Sequence, residues 1–118
     1  MPLTIYHNPR CSKSRKTLEL IRSAGIEPVI RLYLQEAPAA DEIAALAEKL
    51  EVPVADLLRR GEAEFKAADD LPELTDNAAL AAWVAAHPNV LERPIVVDTE
   101  SGRAVMGRPP ENVNELLN

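Results

Sequence analysis

Sulfur, imidazole and aromatic rings are scarce in this chain of 118 residues, which carries one cysteine, two histidines, one tryptophan, two tyrosines and one phenylalanine. One cysteine cannot close an internal disulfide, and two histidines leave too few soft ligands for a zinc site, so no metal is expected. Whatever thiol chemistry Cys11 begins must therefore end on a partner molecule. Positive charge is also in deficit: 13 Lys+Arg against 19 Asp+Glu leave a formal charge of -6. An acidic chain is a poor partner for nucleic acid or an anionic membrane surface, both of which call for a basic face. No apolar run approaches the roughly 20 residues that cross a bilayer, and the first residues lack the pattern of a signal peptide, so a cytoplasmic address is expected. The few aromatic rings are too scattered to mark an interface, and Trp83, at helical spacing, reads as core.

What is present has a clear order. Leu3-Thr4-Ile5-Tyr6 is a short β-type run that His7-Asn8-Pro9 ends with turn chemistry. Leu18, Leu20, Ile21 and Ala24 give one apolar side at helical spacing over about 12–24, with Gly25 as the stop. Val29 to Leu34 reads as a second strand, so the opening third is a βαβ unit with parallel strands. Ile43, Leu46, Ala47 and Leu50, and later Leu80, Trp83, Val84 and His87, make residues 39–87 helical, with breaks near Pro53, Gly61 and Pro72. His87, before Pro88, reads as a helix C-cap. Twelve of the 19 acidic residues lie between Glu36 and Asp76, so this helical stretch is acidic and the remainder more basic. Pro94 to Asp98 and Arg103 to Met106 flank a Thr-Glu-Ser-Gly turn and read as a hairpin, followed by a last helix burying Val113, Leu116 and Leu117. The order βαβ, helices, ββα predicts one α/β domain over 1–118, a thioredoxin-like mixed sheet with a helical insert at about 39–87 between its halves.

The informative stretch is His7-Asn8-Pro9-Arg10-Cys11-Ser12-Lys13-Ser14-Arg15, which sets the thiol where a strand hands over to a helix. A lone cysteine is most often a small buried hydrophobe, but three cations within four residues sit badly with that. Cysteine titrates near 8.5, and a helix N-terminus with nearby cations brings this to roughly 3.5–7.5. The orphan amides of the first turn, the helix dipole, Arg10, Lys13 and Arg15 all favour negative charge here. The spot should hold an anion as well as make a nucleophile. His7 has two readings: a strand-end residue hydrogen-bonded to backbone, or an imidazolium that stabilises the thiolate. A phosphatase-type anion loop needs Arg six positions after its Cys, where this chain has Thr17. A dithiol oxidoreductase needs a second Cys three positions on, where it has Ser14.

These residues resemble the glutaredoxin- and glutathione-linked arsenate reductases of the thioredoxin-like superfamily, over essentially the whole chain. The resemblance rests on Ile5-Tyr6-His7-Asn8-Pro9-x-Cys11-x-x-Ser14-Arg15, Ala55-Asp56-Leu57-Leu58-Arg59, Arg93-Pro94-Ile95-Val96-Val97 and Gly107-Arg108-Pro109. It implies that Cys11 attacks arsenate and that Arg59, Arg93 and Arg108 hold the oxyanion, for which a guanidinium fork is well shaped. It also implies that Ser14 and Arg15 lie at the substrate, that Asn8 and Pro94 shape the site, and that the Arg93-Pro94 bond is cis. No bound cofactor is implied; glutathione is a co-substrate, and glutaredoxin resolves the mixed disulfide on Cys11. Two other readings stay open. Relatives of the family regulate transcription by binding RNA polymerase, although those typically carry Cys-x-x-Cys and this chain has Ser14 at the second position. A general glutathione-dependent reductase of thiols or other oxyanions is the third.

Overall fold

The computed structural model describes residues 2–117. The chain divides into two compact units, one formed by residues 1–33 with 93–118 and the other by residues 34–92.

The first unit is a four-stranded sheet with helices. Strands β1 (Leu3–Tyr6), β2 (Val29–Arg31), β3 (Ile95–Asp98) and β4 (Ala104–Met106) lie in the order β2-β1-β3-β4. β1 pairs in parallel with β2, Ile5 opposite Ile30, and antiparallel with β3, Ile5 opposite Val96. β3 and β4 form the expected hairpin, with Val96 opposite Val105. Helix α1 (Ser12–Ser23) connects β1 to β2, and Gly25, at φ 83°, supplies the left-handed turn after it. This is the βαβ…ββα order of a thioredoxin-like mixed sheet. Its core joins Leu3 and Ile5 of β1, Leu18 and Ile21 of α1, Val96 and Val105. Val113 and Leu116 complete it from a 3₁₀ turn, Pro110–Val113, that runs into a single turn of helix, α5 (Asn114–Leu117). Leu117, expected in the core, is only partly buried.

β2 is shorter than its apolar run suggests. The strand stops at Arg31, and the chain turns over residues 33–35, burying Tyr33 and leaving Leu34 41% exposed. A second apolar stretch thus serves a turn, where one side chain must enter the core and the next must not.

One close approach ties the C-terminal half of this unit to α1. Gly107 donates its amide to the Pro94 carbonyl at 2.8 Å. A Cβ at Gly107 would lie 2.6 Å from Pro94 Cγ and 2.7 Å from Thr17 Oγ1. Neither neighbour has room to yield, because the proline ring is rigid and Thr17 is fully buried with its hydroxyl donating to the Lys13 carbonyl at 2.8 Å. Gly107→Ala is therefore expected to cost about 1–3 kcal/mol of unfolding free energy through overpacking, read as a lowered urea midpoint.

The second unit is helical: α2 (Ala40–Leu50), a 3₁₀ turn at Val54–Leu57, α3 (Ala63–Lys66), α4 (Asn77–Ala86) and a 3₁₀ turn at Pro88–Val90. The predicted breaks at Pro53, Gly61 and Pro72 all fall between these pieces. α2 and α4 pack face to face around Ile43, Leu46, Leu80 and Val84. The Asp76 side chain caps α4 by accepting from the Ala79 amide at 3.1 Å. Trp83 is buried and donates its indole N–H to Asp70, while His87, at the C-cap of α4, stacks on the Trp83 ring with centroids 4.2 Å apart. Among the described residues, no helix is long and apolar enough to cross a membrane.

Candidate active site

Cys11 is the N-cap residue of α1, with extended backbone angles (φ -93°, ψ 122°) that turn the chain from loop into helix. Its own amide donates to the Asn8 carbonyl at 3.0 Å, and its carbonyl accepts the Arg15 amide at 3.0 Å. The thiol is therefore fixed from both sides of the turn. Partial burial raises its pKa, but the backbone amides of Ser14 and Lys13, a hydrogen bond from the Arg93 side chain and the Arg93 charge outweigh that, and the net direction is down. This matches the physics expected of a helix N-terminus. The cation responsible, however, is not one of the neighbours in sequence: Arg10, Lys13 and Arg15 are all exposed, and Arg15 spends an N–H on the Pro9 carbonyl at 2.9 Å.

Two distant arginines converge on the sulfur. Arg93 leads into β3, and its peptide bond to Pro94 is cis, as is Arg108-Pro109. Arg108 follows β4, and its Nη1 lies 4.0 Å from Cys11 Sγ while donating to the Arg93 carbonyl at 3.0 Å. Arg108 thus meets both the thiol and the loop that carries the other guanidinium. A partly buried thiol of lowered pKa beside two guanidinium groups and two backbone amides is suited to a tetrahedral oxyanion.

Behind the thiol lies a small buried polar network. Ser14 is fully buried, its hydroxyl 2.6 Å from His7 Nδ1 and accepting the Asn8 amide at 3.1 Å. Asn8 is itself buried and accepts the Arg10 amide at 3.0 Å through Oδ1. Ser14, expected at the substrate, is thus committed to the wall of the turn, because helix geometry turns the third residue after the N-cap inward. His7 does not favour the imidazolium reading: burial, then the charges of Arg22 and Arg15, push its pKa down. A neutral imidazole paired with a hydroxyl shapes the turn. Because the unfolded chain binds the His7 proton more readily, this group contributes stability above about pH 6.5 that is lost as the pH falls. Ser14→Ala strands two buried groups, the His7 ring nitrogen and the Asn8 amide. It is expected to cost about 1–3 kcal/mol, read by urea unfolding.

Arg59 belongs to the second unit, and its described contacts stay there. Its amide donates to the Val90 carbonyl, beside an isolated antiparallel bridge between Leu58 and Leu91. Its guanidinium is held 3.2 Å from both Glu62 and Glu92. Sequence reasoning did not foresee these two carboxylates. Among the described residues, no group of three or more acidic, histidine or cysteine side chains is placed to hold a metal ion.

Known proteins share most of this chain. The model of the ArsC family matches residues 6–116. The chain belongs to the ArsC family. It is 40% identical to the arsenate reductase of Haemophilus influenzae, over 99% of this chain and 100% of that protein. It is 41% identical to the uncharacterized protein YfgD of Escherichia coli, over 96% of this chain and 94% of that one. Among solved structures, the arsenate reductase from Vibrio cholerae superposes with a TM-score of 0.85 at 41% identity, covering 98% of this chain and 97% of that one. All four motifs that carried the resemblance fall within or against the matched ArsC span.

Proposed function

We propose that this chain reduces arsenate to arsenite with Cys11 as the nucleophile and glutathione as the second thiol. The observation that carries the reading is the convergence of Arg93 and Arg108 on a thiol whose pKa is lowered at the start of α1. A thiolate attacks the arsenic, Arg93 and Arg108 hold the remaining oxygens, and one arsenate oxygen leaves as water after protonation. The glutathione thiol then attacks the Cys11 sulfur. The sulfur–arsenic bond breaks with its electron pair moving to arsenic, which falls from As(V) to As(III) and departs as arsenite. Two thiols have become one disulfide, the two electrons that arsenic gained.

The chain has no second cysteine to take the mixed disulfide on, so an external dithiol or thiol of the glutaredoxin kind must clear it. The fully buried Ser14, at the position where dithiol enzymes keep their resolving cysteine, supports the same division of labour. The deciding experiment is arsenate-dependent NADPH oxidation in a coupled assay with glutathione, glutaredoxin and glutathione reductase. Turnover that needs all components is expected. A folded protein with reactive Cys11 but no arsenate dependence would overturn the reading and favour general thiol reduction instead.

A further inference from the structure

Arg108 stands on a short loop between β4 and the 3₁₀ turn Pro110–Val113, a segment with little regular structure to hold a functional guanidinium. Besides the hydrogen bond from the Gly107 amide to Pro94, one side chain braces this loop at two points. Asn112 Nδ2 donates to the Met106 carbonyl at 3.1 Å and to the Arg108 carbonyl at 3.3 Å. Its backbone amide donates to the Pro109 carbonyl at 3.0 Å. The carboxamide therefore straps the residues on both sides of Gly107, the glycine that also meets Pro94 and Thr17.

We infer that Asn112 is a positioning residue for Arg108: its amide fixes the loop from which the Arg108 guanidinium reaches the Cys11 sulfur and the Arg93 carbonyl. The described bonds of the amide nitrogen both go to backbone carbonyls and none reaches the thiol, so the residue acts through Arg108. An alanine here removes both straps and leaves the two carbonyls without these donors. The guanidinium then samples positions away from the sulfur, and Coulomb attraction falls with distance. Misplacing a reacting partner by about 1 Å is enough to cost up to two orders of magnitude in rate. The inference rests on the reading of Arg108 as part of the thiol site and needs no particular substrate.

The test reads Cys11 itself. Rates of alkylation by iodoacetamide, a neutral probe, are measured across pH for the full-length protein, its Asn112→Ala and Arg108→Ala variants and the double variant, with thermal unfolding of each. Asn112→Ala is expected to slow alkylation at pH 7 by about threefold or more and to move the profile to higher pH, with the alkaline plateau unchanged. In the Arg108→Ala background the same substitution is expected to change nothing further. A profile for Asn112→Ala that superimposes on the parent, or a slowing of equal size with and without Arg108, would overturn the inference, since a merely structural role predicts no dependence on Arg108. If Asn112→Ala does not fold, Asn112→Ser, too short to span both carbonyls, is read in the same way. Absence of arsenate turnover in the parent protein would strike the proposed function alone and leave this profile interpretable.

Discussion

Cys11→Ser is expected to remove arsenate turnover by about a thousandfold or more while leaving the protein folded. Serine differs from cysteine by one atom, and the backbone bonds that fix the turn, from the Cys11 amide to Asn8 and from the Arg15 amide to the Cys11 carbonyl, do not involve the sulfur. The hydroxyl titrates far above neutrality, so neither the helix amides nor Arg93 can bring it to the anion. Anion binding should survive, because Arg93 and Arg108 do not depend on the sulfur for their charge. The coupled assay and calorimetric titration with arsenate together check this. Retention of a tenth of the parent rate by the serine variant would move the nucleophile elsewhere.

Arg93→Ala carries the second large effect, and it has two readouts. Arg93 favours the Cys11 thiolate both by a hydrogen bond and by its charge. Cys11 therefore keeps its reactive form to lower pH than an ordinary thiol, and reactivity is lost as the pH falls through the lowered pKa. Without Arg93 that loss begins at higher pH, so alkylation at pH 7 slows while alkylation at strongly alkaline pH does not. Turnover should fall further, by about 10²–10³ in kcat/KM, because the guanidinium also stabilises charge on the arsenate oxygens. Arg93→Lys is not expected to restore it, since an ammonium group lacks the planar fork. Equal losses in alkylation at all pH values would instead mean a displaced loop.

The elements that sequence reasoning located well are those whose pattern is strong and local. β1, α1 and the β3–β4 hairpin were each legible because apolar period and a turn residue coincide at their ends. β2 was overextended because Tyr33 and Leu34 are as apolar as a strand requires, and only the tertiary core decides that one is buried and the next exposed. The place of Cys11 at the head of α1 was legible. So was part of what lowers its pKa, the first-turn amides of Ser14 and Lys13, but the cation was not: the eye falls on Arg10, Lys13 and Arg15 beside it, whereas Arg93 acts from the far end of the sequence and was reachable only through the family resemblance. Ser14 and His7 were visible as motif letters, but their bond to each other depends on how the helix turns residue 14 inward. Gly107 and Asn112 gave no signal that could have been read alone, because one matters for the atoms it lacks and the other for two carbonyls it finds after folding.

The strand order has a consequence for how the protein is made. β1 lies in the middle of the sheet, with β2 on one side and β3 on the other, and Leu3 pairs with Asp98. As the chain leaves the ribosome, β1, α1 and β2 emerge first, and one edge of β1 waits while the whole acidic helical segment is synthesised. During that interval Cys11 has been made, but neither Arg93 nor Arg108 exists. Of the groups that lower the Cys11 pKa, the Ser14 and Lys13 amides are made early, but the Arg93 side chain can reach the sulfur only once β3 has docked against β1. Synthesis thus delays part of the lowering of the Cys11 pKa until the sheet is complete.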